Sequence, residues 1–498
     1  MGGEFLREKA GLNTNASWYK EELARQVAQP QSWTANGQYL DHTGFGGILS
    51  PMPYDLFARS YLSVMLREGY AGPEAAFLNE TMRRGALVSL LMQSPKGEVP
   101  TGGRSSQHQW NEAVQSMLFE IWAARYAALP GADNAALACA FKRGSRLSLE
   151  SLLRWVDRAP GGGNVSIVKN WFDPALRWGW EGYSYESQYN LLPASMVAAA
   201  VLYMDDSVPE CSTFADAGGF AFHDDQLRKV FLSAAGTYAE LELGADPHYD
   251  STGLQRVHSS SPAHYSLVGP TAGPPWKDGA VAVGPQWTMR PGCDPLVPQS
   301  DSLANATFRD VSSVEVTPGL VTNASAVSAT VQFALTGRSV AVQESITVLT
   351  AGATPPAGMA PLPPVPAGFA DAGTVLVAVQ VTRQRPCDGG SGLPFSAVGP
   401  EWPALVFDGR TNFSVSTPAN DSAVLAPNDP ADVARLGATQ LFVLPVNDDL
   451  AWTWAVETDV PRTARNGVVV RVSASLRPAS SSPEFVMGVR ALVATSQR

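Results

Sequence analysis

The stretch SATVQFALTGRSVAVQESITVL, residues 328–349, alternates apolar and polar residues, is rich in β-branched side chains and is interrupted by a glycine. Stretches of the same texture follow it, among them TVLVAVQVTR, TQLFVLPV, LAWTWAVE and GVVVRVSASL. Two-residue alternation of β-branched residues is typical of strands, and Gly or Pro between such stretches is typical of turns. The pattern predicts an antiparallel β-sandwich domain over residues 301–498.

Upstream of these stretches the chain has a helical pattern, which predicts a helical domain over residues 1–245. Tandem helices separated by Pro, Gly and Asn clusters form a bundle, a solenoid or a closed α/α toroid. An irregular junction rich in Gly and Pro, residues 246–300, is expected to line a cleft. Apolar residues recur at three- and four-residue spacings over residues 54–66, 75–92, 107–128, 134–155, 186–203 and 225–241.

Length and charge limit the class of protein. The 498 residues exceed the roughly 250–300 at which a single core stops growing, so we expect a multidomain α and β protein. The net charge of −11 and the lack of a basic run argue against a nucleic-acid partner. No apolar stretch reaches the roughly 20 residues of a membrane span, so none is predicted.

Cysteines and glycosylation sequons indicate a secreted or extracellular glycoprotein, although no signal peptide is visible at the start of the chain. The four cysteines, Cys139, Cys211, Cys293 and Cys387, could form two disulfides in any of three pairings. Sequons agree with secretion without proving it. They occur at Asn15, Asn79, Asn164, Asn305, Asn323, Asn412 and Asn420.

The stretch TGGRSSQHQWNEAVQSM, residues 101–117, carries the densest hydrogen-bonding chemistry. Its glycines predict a tight turn, after which Ser105 or Ser106 would cap a helix that begins at Gln107. His108, Asn111 and Glu112 would then share one helix face, and the free N–H groups of the first turn would suit a carboxylate. The alternative is a capping network around a buried histidine. Arg104, Gln107, Trp110 and Glu112 are the candidate substrate-binding residues here.

Aromatic residues are concentrated over residues 170–196, NWFDPALRWGWEGYSYESQYNLLPASM. Aromatic rings in a loop before a helix are typical of sugar binding, because they stack on the apolar faces of pyranoses. The alternative is a packed aromatic corner between helices. The candidates are Trp171, Trp178, Trp180, Tyr185, Glu186, Tyr189 and Asn190.

Three of the six histidines, His248, His258 and His264, lie in residues 246–267 together with Arg256. Their spacing matches no short metal motif, so we expect a catalytic histidine among them rather than a metal site, and we expect no cofactor. The chain has no G-x-S-x-G elbow and no G-x-G-x-x-G after a strand, which argues against a serine hydrolase of that type and a dinucleotide fold.

The helical, aromatic-lined first half followed by a sandwich resembles the polysaccharide lyases of the alginate, chondroitin and heparinase type. This resemblance implies an α/α toroid, an antiparallel β-sandwich, and β-elimination on an acidic polysaccharide or oligosaccharide. In such lyases an Asn, His or Arg neutralises the uronate carboxylate, a Tyr or His removes the C5 proton, and a Tyr commonly protonates the leaving oxygen. The catalytic residues it implies are Asn111 with His108, then Tyr185 or Tyr189, then His258 or His264. A tyrosine can act as the base only if nearby positive charge lowers its pKa, and Arg256 or a histidine could supply that charge.

Two alternatives remain. A glycoside hydrolase on the same scaffold would need two carboxylates about 5–5.5 Å apart if retaining, or about 6.5–9.5 Å apart if inverting. Glu112 with Asp173, Glu181 or Glu186 would supply them. A non-catalytic glycan-binding or cell-wall protein would keep the aromatic residues but tolerate the loss of His108 and Glu112.

Overall fold

The computed structural model describes residues 1–41, 52–156, 167, 169, 187–234, 236–242 and 253–260, and the backbone of strands between residues 281 and 495. These residues form two compact units. The first contains the described residues up to Lys169, those from Ser187 to Ala217, and Asp225–Leu227. The second contains Gly218–Asp224 and the described residues from Arg228 onward.

The first unit is helical, and five of the six predicted helices are confirmed. The helix over Ala75–Met92 has the predicted bounds. No described helix combines the length and the apolar character that crossing a membrane requires. The helices are α1 (Gly2–Lys9), α2 (Ala16–Val27), α3 (Met52–Arg67), α4 (Ala75–Met92), α5 (Trp110–Ala127), α6 (Ala132–Val156), α7 (Ser187–Tyr203) and α8 (Phe214–Ala217), with a 3-10 turn at Pro30–Ser32.

Helix α5 is the centre of this unit, because α3, α6 and α7 all pack against it. Every residue of α5 except Arg125 and Ala127 is buried. A helix buried all round is apolar on every side in most proteins, yet the buried residues of α5 include Asn111, Glu112 and Gln115. The polar groups of α5 must therefore be matched by neighbours inside the unit.

The predicted helix over residues 225–241 is wrong, because this part of the chain forms strands of a small sheet. Strands β1 (Phe220–Asp224), β2 (Lys229–Ala234), β3 (Thr237–Glu242) and β4 (Gly253–Ser259) pair antiparallel in that order. Positive φ angles at Arg228 (57°) and Gly236 (77°) turn the chain between strands and prevent a continuous helix. All six residues of β3 are buried, so the alternation that marks a half-exposed strand is missing.

The later strands confirm the predicted antiparallel β structure. They form an eight-stranded sheet, in the order β13-β12-β14-β17-β10-β9-β8-β7, and a five-stranded sheet, in the order β15-β16-β11-β6-β5; β12 and β14 pair in parallel, and the other pairs are antiparallel. The strands are β5 (Val281–Val283), β6 (Trp287–Met289), β7 (Ala306–Ser312), β8 (Ala326–Leu335), β9 (Val340–Leu349), β10 (Thr374–Arg383), β11 (Glu401–Phe407), β12 (Asn412–Ser416), β13 (Asp421–Val424), β14 (Ala438–Pro445), β15 (Ala451–Ala464), β16 (Gly467–Arg477) and β17 (Val486–Thr495).

One disulfide lies in the helical unit. It joins Cys139 in α6 to Cys211 in the segment before α8, with the two Cα atoms 5.2 Å apart. Cys293 and Cys387 lie outside the described residues. Of the three possible pairing schemes, the one that contains this bond pairs Cys139 with Cys211.

Candidate functional site

We call residues 101–112 the polar segment: residues 101–109 form an irregular turn and not a helix, and residues 110–112 begin α5. Gly102 and Gly103 have φ angles of 127° and 73°, and the non-glycine residues Ser105 and Gln107 have φ angles of 64° and 68°. Positive φ is costly for residues with a Cβ atom, so the helix cannot begin at Gln107 as predicted; it begins at Trp110. Such strain persists only where the surrounding structure holds it, and it is concentrated at functional sites.

The predicted helix cap is also corrected. Neither serine caps α5: Gln109 occupies the N-cap position and makes no side-chain capping bond. Ser106 instead accepts a hydrogen bond at Oγ from the Gly102 backbone N–H at 3.1 Å. Because His108 precedes the helix, the one-face arrangement with Asn111 and Glu112 does not occur, and the three side chains have separate contacts.

His108 is fixed by the first residue of α5. The indole Nε1–H of Trp110 donates to His108 Nδ1 at 3.2 Å, and both side chains are buried. An indole N–H can only donate, so Nδ1 must be unprotonated and the neutral ring carries its proton on Nε2. Trp110 is held in turn by Phe57 of α3, with ring centroids 4.5 Å apart. This arrangement sets both the tautomer and the orientation of His108.

Asn111 and Gln109 present acceptor oxygens. Asn111 Nδ2 donates to the Ser105 carbonyl at 3.1 Å, which supports the strained turn. Asn111 Oδ1 and Gln109 Oε1 are buried and make no hydrogen bond to any described residue. Two backbone bonds, from Gln109 N–H to the Ile167 carbonyl at 2.8 Å and from Lys169 N–H to the Gln107 carbonyl at 3.0 Å, attach a second segment to the turn.

That second segment brings a lysine to two buried carboxylates. Lys169 Nζ lies 2.5 Å from Glu112 Oε1 and 3.4 Å from Glu98 Oε2. The Val99 backbone N–H also donates to Glu112 Oε1, at 3.1 Å. Glu112 Oε2 is buried without a hydrogen bond to any described residue. We call Glu98, Glu112 and Lys169 the carboxylate–lysine cluster.

The cluster perturbs the titration of Glu112. Burial raises the pKa of the Glu112 carboxyl above its ordinary value of 4.5. The Lys169 charge opposes this increase, and the Glu98 charge adds to it. A buried carboxyl with a raised pKa is a common component of catalytic sites, although structural ion pairs produce the same shift.

Sequence reasoning singled out Glu112 but missed both of its partners. Glu98 lies in the loop between α4 and α5, and Lys169 lies 57 residues after Glu112, so no local spacing connects them. The feature of the sequence that points to Lys169 is its position between apolar and aromatic residues, in the run IVKNWF. A lysine in such surroundings is buried only when it is paired.

A further polar cluster lies on one face of the small sheet in the second unit. Tyr238 pairs with His258, and Glu240 pairs with Arg256, so all four side chains share a face. The rings of Tyr238 and His258 have centroids 6.4 Å apart, and Arg256 Nη1 lies 3.5 Å from Glu240 Oε2. All four are buried. His258 and Arg256 are among the predicted site residues, and Tyr238 and Glu240 are not.

The remaining predicted site residues are placed as follows. Arg104 is half-buried in the polar segment, and Gln107 is buried there. Tyr189 and Asn190 are half-buried in α7, where Tyr189 packs against the core and Asn190 Oδ1 makes no hydrogen bond to a described residue. The described residues contain no group of three or more His, Cys, Asp or Glu side chains arranged to hold a metal ion. The candidates outside the described residues are Trp171, Asp173, Trp178, Trp180, Glu181, Tyr185, Glu186, His248 and His264.

Comparisons with known proteins leave the function to be argued from these side chains. A scan against protein-family models and a search of curated proteins find no match. Solved structures that align include a heparan sulfate lyase from Pedobacter heparinus, at 8% identity and a TM-score of 0.24, over 96% of this chain and 64% of that one. A heparinase III aligns at 10% identity and a TM-score of 0.24, over 89% and 61% of the two chains.

A 4-alpha-glucanotransferase from Thermococcus litoralis aligns at 9% identity and a TM-score of 0.25, over 90% of this chain and 56% of that one. The chain thus spans about three fifths of the length of these structures. Likenesses at such TM-scores carry no argument about the reaction.

Proposed function

We propose that this chain is a secreted carbohydrate-active enzyme that cleaves a uronate-containing polysaccharide by β-elimination. The observation that carries the proposal is the strained turn of the polar segment, which holds His108 as an Nε2–H donor next to the buried start of α5. A closed α/α toroid joined to a β-sandwich, with an acidic polysaccharide bound at the toroid, completes the proposal.

The tautomer of His108 matches one step of this reaction. A base removes the C5 proton next to the uronate carboxylate, and negative charge spreads onto the carboxylate oxygens. The C4–O bond then breaks, a C4–C5 double bond forms, and the leaving oxygen takes a proton. A fixed N–H donor aimed at the carboxylate stabilises the charge as it develops, because the donor is oriented before the reaction begins. His108 Nε2–H would fill that role, with Arg104 adding positive charge.

The base in this proposal is a tyrosine or a histidine from another part of the chain. Tyr185 or Tyr189 would remove the C5 proton, and His258 or His264 would assist. Arg256 or a histidine would supply the positive charge that such a tyrosine needs. A cation near a phenol favours the phenolate that a base requires.

The raised pKa of Glu112 favours a second candidate function, glycoside hydrolysis. A general acid in a glycosidase must stay protonated near neutral pH, and burial shifts the pKa of a carboxyl in that direction. The contacts of Glu112 weigh against this reading, because one carboxylate oxygen already accepts hydrogen bonds from Lys169 and Val99. The second carboxylate would be Asp173, Glu181 or Glu186.

Ultraviolet absorbance and reducing-end release, followed together on a panel of uronate polysaccharides, test the proposal. Elimination produces both signals, and hydrolysis produces reducing ends without absorbance. His108→Ala should lower turnover about 100-fold or more, the loss expected for one donor to a developing oxyanion. His223→Ala, a half-buried histidine in β1, is the matched control and should keep the wild-type rate.

Asn111→Ala removes the side-chain bond that supports the turn. Asn134→Ala is its control, because the half-buried Asn134 in the first turn of α6 makes a similar bond to the Pro130 carbonyl. Thermal unfolding of every variant separates lost chemistry from lost folding. Turnover that is unchanged in folded His108→Ala and Asn111→Ala on a confirmed substrate would contradict the proposed site.

A further inference from the structure

A cavity of about 320 Å³ opens at the C-terminal end of α5, and three arginines line it. Arg67 ends α3, Arg83 lies in α4 and Arg125 lies in the last turn of α5. Along the axis of α5, Arg125 is about 20 Å from Asn111, at 1.5 Å per residue. The cavity, which we call the arginine pocket, is therefore separate from the polar segment.

Arg67 and Arg125 repel each other across the pocket. Burial lowers the pKa of Arg125, and the like charge of Arg67 lowers it further. Arg67 makes no ion pair with any residue in the described ranges. The pKa of Asp205 is lowered mainly by hydrogen bonds from Ser207, and the Arg67 charge is the smallest of its causes. Arg83 is the one of the three with a bidentate partner, Glu80, at 2.8 and 2.9 Å.

Donors in the pocket lack acceptors among the described residues. Arg125 Nη2 donates to Asn79 Oδ1, but Arg125 Nε is buried and makes no hydrogen bond there. The hydroxyl of Tyr126, a side chain only 4% exposed, lies beside Arg83, which can only donate to it, so the buried phenol O–H has no acceptor among the described residues. Each such group costs free energy unless a partner is supplied. An oxyanion in the pocket would accept from both and reduce the repulsion between the arginines.

The positions of the arginines at helix ends explain part of this arrangement. Cations are stabilised near the C-termini of helices, where Arg67 and Arg125 lie. The helix dipole does not explain why three guanidinium groups face one cavity, nor why a buried phenol and a buried guanidinium N–H lack acceptors. Arg125 also lies over the ring of Trp122, 5.0 Å from its centroid, which fixes the guanidinium plane. A planar, oriented guanidinium is suited to bidentate binding of a carboxylate or sulfate.

We propose that the arginine pocket binds a carboxylate or sulfate group carried by a ligand of monosaccharide size. The volume lies at the lower end of the range for small-molecule pockets, about 300–1,000 Å³, and is larger than an inorganic anion needs. Trp122 and Tyr126 supply amphipathic surface for the remainder of the ligand. The proposal does not depend on the proposed reaction, because binding here requires no turnover.

Titration calorimetry of the full chain at low salt tests the pocket with glucuronate, glucose and inorganic sulfate. Glucuronate should bind, glucose should not, and sulfate should bind at least about tenfold more weakly than glucuronate. Arg67→Gln and Arg125→Gln should each weaken glucuronate binding about tenfold or more, the loss of one charge-assisted pair. Arg146→Gln is the matched control: it removes an exposed arginine that pairs with Glu150 within α6, and it should bind as the wild type does.

Three results would overturn the proposal. The first is that neither anion binds. The second is that sulfate binds as tightly as glucuronate, which would exclude a saccharide-sized ligand. The third is that the Arg67 and Arg125 variants bind glucuronate as Arg146→Gln does. Because Arg125 packs on Trp122, the exposed Arg67 decides the outcome if Arg125→Gln does not fold. Glucuronate binding that persists in Arg67→Gln but is lost in His108→Ala would belong to the polar segment instead.

Discussion

Lys169 contacts two buried carboxylates, Glu98 and Glu112, and its charge opposes the rise that burial causes in the pKa of Glu112. A buried ion pair is weak support for stability by itself, because removing the charges from water costs about as much as their attraction returns. The cluster is better understood as holding the polar segment in place: Lys169 is bonded through its backbone to Gln107 and through its side chain to Glu112.

Glu112→Gln should change how stability depends on pH. Because burial raises the pKa of Glu112 in the folded protein, its carboxyl contributes stability that is fully present below the unfolded value of 4.5 and lost as pH rises through the folded pKa. Glutamine has the same shape and does not titrate. The free energy of unfolding of the wild type should therefore fall relative to Glu112→Gln as pH rises above 4.5.

Urea unfolding of both proteins between pH about 4 and about 8 checks this prediction. Glu150→Gln, in an exposed pair with Arg146, is the control and should follow the wild-type curve. Parallel curves for wild type and Glu112→Gln would mean that Glu112 titrates alike in the folded and unfolded chains.

The candidate site could be predicted from sequence only where its residues are neighbours in the chain. His108, Asn111 and Glu112 were identified because polar residues cluster in one short run. Their contacts were not, because the positive φ angles of Ser105 and Gln107 are set by tertiary contacts and leave no sign in residue type. Lys169 was missed for the related reason that its partners are distant in sequence.

At the scale of elements, the loop before α5 is held against α6 by a close backbone contact. Gly97 has a φ angle of 80°, and a Cβ atom there would lie 2.0 Å from the Leu147 carbonyl oxygen. The side-chain amides of Gln93 and Gln115 both donate to Ser148 Oγ of α6, at 2.8 and 2.9 Å. This packing positions Glu98 and Val99 against Glu112.

Gly97→Ala should destabilise the helical unit by about 2–4 kcal/mol, because the new methyl group meets backbone that cannot move away easily. Gly69→Ala is the matched control, since Gly69 has a φ angle of 89° and nothing within 4 Å of its Cβ position. Gly69→Ala should lower the free energy of unfolding by about 1 kcal/mol, because only the backbone conformation is unfavourable there. Chemical denaturation measures both, and equal losses would show that the contact with Leu147 relaxes without cost.

Helices with a strong period were predicted well, and the strands of the small sheet, where β3 is buried throughout, were not. Helix α4 was predicted with its observed bounds. The hairpin of β2 and β3 was predicted as a helix because apolar residues match three- and four-residue spacings by coincidence, at Leu227, Val230, Phe231, Ala234, Tyr238 and Leu241. The turn at Gly236 was the signal that separates the two structures.

At the scale of the whole molecule, one covalent link joins distant parts of the helical unit. The disulfide between Cys139 and Cys211 closes a loop with a sequence separation of 72 residues. Disulfides persist in oxidising compartments, so the link supports the proposed secretion.

The two compact units agree with the expectation from length that a single core would not suffice. The proposed boundaries at residues 245 and 300 stay predictions.

Loss of this disulfide should destabilise the protein by about 4 kcal/mol, the loop-entropy value for a closure of this length. The double variant Cys139→Ser/Cys211→Ser should unfold at a lower temperature, and reductant should lower the wild-type midpoint toward that value. Reductant should not shift the midpoint of the double variant further. An unchanged midpoint in the double variant would mean that native packing alone holds these segments together.

The reaction class is the central claim, and product analysis in heavy-oxygen water tests it most directly. β-Elimination breaks the C4–O bond without adding water, so the account predicts unsaturated products, one water lighter than hydrolysis products, with no heavy oxygen from solvent incorporated at cleavage. Mass spectrometry immediately after cleavage of a uronate polysaccharide distinguishes the two outcomes. Saturated products that carry one solvent oxygen per cleavage would contradict the account and assign the chain to the hydrolases.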